Sequence, residues 1–399
     1  MNVLKHRQLI FTVLLAGLAC FNGFKWAWQF SHSPYKPLDF RTYYSGAQSY
    51  FNHLNPYDKN DLTLNWISSD MTSSEKPNFD VHETVVYAPQ FVWYFGLYQL
   101  LDYDIAKWLQ LVLNILALIA SAWLVTQLKP DIPKHLIYLS FGAFKGTWFA
   151  LSNGQPMIQI LLLILISLYL LTVKNHKIIP GILLGICGYK FTFLIPIGLF
   201  LLSQKQFKTF TIMASSMLLL NGAAIVFSTD PSPMIRTWQY NLSYLFNYNH
   251  VFNDFNGLNI INCSSSVVLK YYIDIPNTNI HLIYTSILLF GSLLSLWLLR
   301  KQNGFRILFV LSLLSFCFGQ HLMYDILVLM IYWILQYDSR KEPIISSLTF
   351  AALCLPLSVV AARLPGIHFI IPICLLIYTL EAVLSDYRLM RNKVTKNAN

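Results

Sequence analysis

The sequence predicts an all-α polytopic membrane protein, a single integral membrane domain over residues 1–399. Three observations lead there. Hydrophobic residues make up 55% of the chain and charged residues only 12%, about half the charged share of a soluble domain. Apolar runs of roughly 20 residues, enough for a hydrocarbon core of about 30 Å, recur along its length. The basic residues fall in short clusters between those runs, as the positive-inside rule places them.

Taken in order, the first run is Leu9 to Phe30. It is too long and too aromatic for a cleaved leader, and no A-x-A-like site follows, so it reads as a retained helix. The clusters Lys5/Arg7, Lys129/Lys134, Lys174/Lys177, Lys205/Lys208, Arg300/Lys301/Arg306, Arg340/Lys341 and Arg388/Arg391/Lys393/Lys396 then fall on the cytoplasmic side. That sidedness predicts about twelve transmembrane helices with both termini inside. They lie near 9–30, 105–127, 135–152, 156–173, 178–189, 191–204, 208–228, 281–299, 306–320, 322–337, 343–362 and 366–385. The runs 178–189 and 191–204 are short and also fit one broken hairpin that reaches only part way.

Tyr87 to Leu101 is too short to cross and opens on Tyr-Ala-Pro. As a full span it would invert every later cluster, so it is expected as a re-entrant or surface helix. Irregular backbone is tolerated at that depth where protein or water covers it. Two long extracytoplasmic loops result, 31–104 (which includes that helix) and 229–280. Both are rich in Tyr, Trp, Phe and Asn, which argues for order, and ordered loops of this length usually carry function.

The net charge of +10 does not point to nucleic acid, because the bases form no stripe beside stacking aromatics. Of the six cysteines only Cys263 falls in a polar loop, and no CxxC or Cys/His spacing occurs, so neither a zinc site nor a disulfide framework is expected. No glycine-rich phosphate loop is present, nor a DxD pair near Asp39, so no metal and no cofactor is expected. Asn241-Leu-Ser and Asn262-Cys-Ser are glycosylation sequons that matter only in a host that glycosylates.

Four polar sites interrupt the apolar pattern at the outer face: Asp39, Ser152 to Gln155, Lys190, and Gly319 to Asp325. Ionisable groups at membrane depth are costly and commonly mark a pathway, relay or site. Lys190, in "GICGYKFTFLIPIG", needs an anion or a wet cavity. It fits either a helix-end lysine reaching the headgroups or a compact cation for phosphate. Asp39 alone is an ordinary surface carboxylate. With Arg41 to keep it ionised and Tyr43 and Tyr44 to line a sugar or lipid groove, it becomes a candidate base for a hydroxyl. "SNGQ" before Pro156 breaks the helix pattern. It is either a plain turn or a way of bringing the amides of Asn153 and Gln155 to a sugar. His321 and Asp325, four apart, share a helix face, and His321 fits a structural or a phosphate-binding role equally.

The stretch "PLDFRTYYSGAQSYFNHLNPYD" resembles the first outer loop of polyprenyl-phosphate-dependent glycosyltransferases of the GT-C superfamily. It is most similar to glycosyltransferase family 87, the alpha-mannosyltransferase-like group. Asp39, Phe40, Tyr43, Tyr44, Ala47, Asn55, Pro56 and Tyr57 carry the likeness. Four segments follow in the family's order. "VVYAPQFVWYFG" is similar to a Tyr-Pro-Pro segment, with Ala88 for the first proline. "SNGQPMIQILLLILIS" is similar to a Gly-Gln-x-Asn element, with Met157-Ile158 where Asn is expected. "GICGYKFTFLIPIGLFLL" is similar to a Lys-x-x-Pro-like hairpin, with Lys190 as the lysine. "FGQHLMYDILVL" is similar to a late His-Tyr helix start. The resemblance covers about residues 10–340.

It implies a GT-C-like bundle that moves a hexose, mannose in that group, from a polyprenyl-phosphate donor to a hydroxyl of a lipid or glycan acceptor, with inversion. Asp39 carries over as general base. Lys190, with Arg236 or His321, would meet the donor phosphate. Arg41, Tyr43, Tyr44, Asn153, Gln155 and Gln320 would line the substrate groove. The setting implied is the lipid bilayer of a bacterial inner membrane, with the site facing the periplasm. The alternative is a transporter or flippase of lipid-linked glycan, a class in which internal repeats are common, and no repeat is found here. An O-antigen-type polymerase is expected to have arginine-rich outer loops, whereas residues 229–280 hold only Arg236 and Lys270 as bases.

Overall fold

The computed structural model describes residues 2–32, 37–66, 85–247, 277–299, 303–318 and 325–337, with positions 377, 379, 381, 382 and 384. Among these every regular element is helical and no strand occurs. Three stretches are long and apolar enough to cross a membrane: Tyr103–Leu128, Ile178–Ser203 and Phe207–Val226. The predicted runs 343–362 and 366–385 lie almost wholly outside the described residues.

Helix α1 (Asn2–His32) enters first. Two short helices, α2 (Leu38–Phe51) and α3 (Lys59–Trp66), follow it. Next come α4 (Phe91–Gly96) and a 3-10 turn, Leu97–Leu100. Together these last two are about 17 Å long, at about 1.5 Å per α-helical and 2.0 Å per 3-10 residue, little more than half a bilayer. Helix α5 (Tyr103–Leu128) shows the membrane setting most directly. Ile105, Trp108, Val112, Leu116, Ile119 and Trp123 are all exposed along one face. Gln110, Asn114 and Ser121 are fully buried on the other. Water would reverse that arrangement. Lipid favours it, because polar groups inside a bilayer turn toward the bundle.

The run predicted at 135–152 is divided at Phe144 into α6 (Lys134–Ala143) and α7 (Lys145–Ser152). The carbonyls released there find partners. Asn22 Nδ2 donates to Ala143 O at 2.7 Å, and Trp148 Nε1 to Gly142 O at 2.6 Å. Backbone breaks in a membrane persist only when such groups are satisfied. Helix α8 (Met157–Thr172) follows.

The stretch Ile178–Ser203 has the length of a span but is folded back on itself. It consists of α9 (Ile178–Ile186), a 3-10 segment (Cys187–Phe193) and α10 (Leu194–Ser203), with Lys190 non-helical at φ −111°, ψ 68°. Helix α11 (Phe207–Val226) shows the direction of each arm. Gly181 faces Ile212, Gly185 faces Ser216 and Gly188 faces Met217, so α9 runs parallel to α11. Gly198 faces Phe210 and Met213, and only a tight turn joins α10 to α11, so α10 runs antiparallel. Lys190 is therefore the tip of a hairpin, the form that the two short predicted runs allowed. Glycine is required on α9, since a Cβ on Gly185 would lie 2.5 Å from Ser216 Cβ. Small residues at such spacing let membrane helices approach closely.

Helix α12 (Pro231–Asn247) and the helices Asn277–Leu299, Gly304–Phe318 and Ile326–Gln336 complete the described bundle. Gly304 meets Phe200 and Gln204 near the foot of α10. Arg306 donates to Gln336 Oε1 at 3.0 Å at the same end. Lys129, Lys134, Lys174, Lys177, Lys205 and Lys208 flank helix ends on that side too. The polar sites at Asp39, Ser152–Gln155, Lys190 and Asp325 all lie at the other end.

Candidate active site

The site is assembled from helix interruptions. The first is the turn after α7. Gly154 adopts φ 65°, a left-handed backbone that glycine takes without strain. Gln155 N–H donates to Ala150 O at 2.9 Å and Gly154 N–H to Leu151 O at 3.2 Å, a Schellman cap. Neighbouring elements take the turn's outward carbonyls. Phe40 N–H donates to Asn153 O at 3.1 Å, Gln110 Nε2 to Gly154 O at 3.1 Å, and Asn114 Nδ2 to Gln155 O at 3.0 Å. Gln159 Nε2 donates in turn to Gln110 Oε1 at 3.1 Å and to Asn114 Oδ1 at 3.0 Å. A fully paired buried network of this kind fixes its members in place.

That turn presents the fully buried Gln155 to α2. Its Nε2 donates to Asp39 Oδ2 and lies 3.4 Å from the Tyr43 hydroxyl. The Tyr87 hydroxyl donates to Gln155 Oε1 at 3.1 Å. The rings of Tyr43 and Tyr87 stack with centroids 4.6 Å apart. Tyr87 is positioned by the Asn55-Pro56-Tyr57 corner. The Tyr57 hydroxyl, wholly buried, donates to Tyr87 O at 2.8 Å, and Asn55 Oδ1 accepts from Tyr57 N–H at 3.1 Å.

The second interruption is the hairpin tip. Gln90 Nε2 donates to Gly185 O at 3.1 Å and to Ile186 O at 2.9 Å, and Ala88 N–H donates to Tyr189 O at 3.0 Å. With its backbone so held, the tip directs Lys190 inward. Its ammonium forms an ion pair with the Asp325 carboxylate, just before helix Ile326–Gln336. It lies 5.5 Å from the Tyr87 ring centroid and 5.3 Å from that of Phe193, within the range of cation–π attraction. Both charged side chains are less than a tenth exposed. Lys190 therefore does not reach for the headgroups, and Asp325 supplies the anion it needs.

Asp39 is half-buried, in the first turn of α2 and outside the spans. Burial lifts its pKa from 3.8 to about 6; the hydrogen bond from Gln155 and the charge of Lys190 hold it down, and Asp325 pushes it up. Burial, then the Asp39 charge, keeps the Tyr43 hydroxyl a neutral phenol. A carboxylate with a pKa just below neutrality is mostly ionised at pH 7 yet basic enough to take a hydroxyl proton. A cation beside it suits an anion. Among the described residues no three His, Cys, Asp or Glu side chains gather as metal ligands.

Of the residues expected from sequence, the structure brings together Asp39, Tyr43, Gln155 and Lys190. The Asn153 carbonyl is tied to α2. Tyr44 points elsewhere, its hydroxyl donating to Leu101 O at 2.9 Å. The Arg41 guanidinium lies over the Tyr103 ring at 5.4 Å, and the groups acting on Asp39 are Gln155, Lys190 and Asp325. Arg236 is exposed on α12. Gln320 and His321 lie outside the described residues. Sequence reasoning missed Tyr87, and it linked Asp325 to His321 rather than to Lys190. The signals for the supporting network were Gln110 and Asn114, polar and four apart on an apolar helix.

Residues 86–324, more than half of the chain, match the sequence model of Glycosyltransferase family 87. The match takes in Tyr87, the Ser152–Gln155 turn and Lys190, while Asp39 lies before it and Asp325 one residue beyond it. No curated protein and no solved structure matches the chain. The chain belongs to glycosyltransferase family 87 and is a membrane glycosyltransferase of the GT-C type.

Proposed function

We propose that this enzyme moves a hexose, mannose as the first candidate, from a polyprenyl-phosphate donor to a hydroxyl of a lipid or glycan acceptor, with inversion at the anomeric carbon. The observation that carries this is Asp39, a half-buried carboxylate with a pKa of about 6 held by Gln155, in electrostatic reach of Lys190. Asp39 takes the proton of the acceptor hydroxyl as that oxygen bonds to the anomeric carbon. The bond from that carbon to the phosphate oxygen breaks, and its electron pair leaves with the polyprenyl phosphate. Lys190 meets the charge that develops on that oxygen, as fixed cations do in dry sites. Arg236 and His321 are secondary candidates for the same phosphate.

The wider setting belongs to the same proposal: about twelve spans, a bacterial inner membrane and a site facing the periplasm. Its support is the separation of the polar site from the described basic clusters, which lie at opposite ends of the bundle. A lipid-linked donor has its reactive bond at headgroup depth, and a base in the first turn after α1 is suited to that depth.

The test is transfer of labelled sugar from polyprenyl-phosphate mannose by the reconstituted protein. Asp39→Asn keeps the shape and removes the base, and a loss of about 10²–10⁴-fold is expected. Equal transfer by a folded Asp39→Asn protein would remove Asp39 as the base.

A further inference from the structure

We infer that Asp325 is a built-in competitor for the donor phosphate, its carboxylate occupying on Lys190 the place that the phosphate takes during the reaction. This rests on the proposal above that Lys190 is the phosphate ligand.

Lys190 and Asp325 are paired with both side chains less than a tenth exposed. The rings of Tyr87 and Phe193 flank the same ammonium, which narrows the directions from which an anion can approach. Asp39 feels both charges of the pair, so two carboxylates already share the surroundings of one ammonium. Among the described groups that act on Asp39, a bound phosphate would make three anionic groups around one ammonium. In a poorly solvated site such repulsion is large, and a buried charge without a partner is costly. Phosphate and Asp325 therefore alternate on Lys190.

The local structure suits an exchange. Lys190 is the non-helical residue at a hairpin tip, and Asp325 directly precedes a helix. The two side chains can part by rotation about their own side-chain bonds, while Gln90 and Ala88 keep the tip's backbone in place. The same exchange serves product release. The leaving group departs from carbon with the full bonding pair and holds Lys190 more strongly than the donor does, and the returning Asp325 carboxylate displaces it. Asp325 is thus a positioning residue for release, with no contact to the reacting carbon.

The test is binding of a short-chain polyprenyl phosphate, the sugar-free product, to purified full-length protein without turnover. Asp325→Asn is expected to bind it at least tenfold more tightly than wild type, and to show matching stronger product inhibition in the transfer assay. A merely structural role would weaken both. Lys190→Met/Asp325→Asn is expected to lose the gain. Tightening is expected with the lipid phosphate; tightening with inorganic phosphate alone overturns the assignment to the donor. If Lys190→Met abolishes binding but Asp325→Asn leaves it unchanged or weaker, the competition is overturned while Lys190 stands as phosphate ligand. If Lys190→Met binds like wild type, both fall. Should Asp325→Asn not fold, a wild-type structure with the lipid phosphate bound decides: a separated Lys190–Asp325 pair is expected, and an intact one overturns the inference.

Discussion

Replacing Asp39 by asparagine is expected to stabilise the protein while silencing it. The folded carboxyl has a pKa of about 6 against an ordinary 3.8, chiefly because burial disfavours its charge. The fold therefore favours the protonated form. Stability from this group is complete below the ordinary value and is lost as pH rises through about 6. Each pH unit between the two values is worth about 1.4 kcal/mol, so ionised Asp39 costs the fold up to about 3 kcal/mol at neutral pH. Asparagine is neutral, and its Oδ1 can still accept from Gln155 Nε2. Thermal unfolding in detergent, compared at one scan rate, should show Asp39→Asn melting above wild type at pH 7.5. The gap should close near pH 4, where Asp39 is protonated in the folded protein. A variant that melts lower at pH 7.5, or a gap independent of pH, would show that burial does not lift this carboxyl, and the case for a tuned base would go with it.

Other outcomes follow from the same geometry. The rate of transfer by wild type should fall tenfold per pH unit below about pH 6, and Gln155→Leu should move that limb upward by about one to two pH units, the worth of a hydrogen bond to a charged group; a pH–rate series on both proteins checks this. Lys190→Met should destabilise by about 3–5 kcal/mol because the buried Asp325 carboxylate loses its ion pair with Lys190, and adding Asp325→Leu should restore much of the stability without restoring transfer; melting curves and the transfer assay read the two effects separately. Gly185→Ala should cost about 1–3 kcal/mol, since its new Cβ would meet Ser216 Cβ at 2.5 Å, which denaturation in detergent would measure. Transfer is expected to survive a chelator, and activity that vanishes with EDTA and returns with a divalent ion would contradict this.

The membrane class and much of the site were readable from sequence for one physical reason. A polar residue inside an apolar run has no cheap explanation, so Lys190 and the Ser152–Gln155 break stand out without a structure. Partnerships were less legible. Lys190 and Asp325 are separated by 135 positions, and helical spacing links Asp325 instead to His321. Tyr43 and Tyr44 are the same residue type side by side, and only the 100° step of α2 sends one hydroxyl to Gln155 and the other to the carbonyl of Leu101. Arg41 was expected near Asp39 on proximity alone, yet its guanidinium lies over Tyr103. Tyr87 is one of 23 tyrosines, and its place depends on Tyr57 and Gln155, neither of which is local. The break at Phe144 carries no proline, and Asn22, which accepts the burden of one freed carbonyl, belongs to the first helix.

The segment that holds the hairpin tip also bears on how the chain is made. Ala88 bonds to Tyr189, Gln90 to Gly185, Ile186 and Asn221, and the Trp93 indole to Leu220 O. All these partners are translated after it, some 95 to 131 positions later. At about 5–20 residues per second, the segment waits roughly five to twenty-five seconds before its amides and indole can be satisfied. During that interval it needs the shelter of the translocon or of the aqueous face, and Lys190 is not yet in place beside the Tyr87 ring. Substitutions that slow emergence of α9 to α11 would lengthen this exposure, so they would lower the yield of active enzyme even where the finished fold tolerates them.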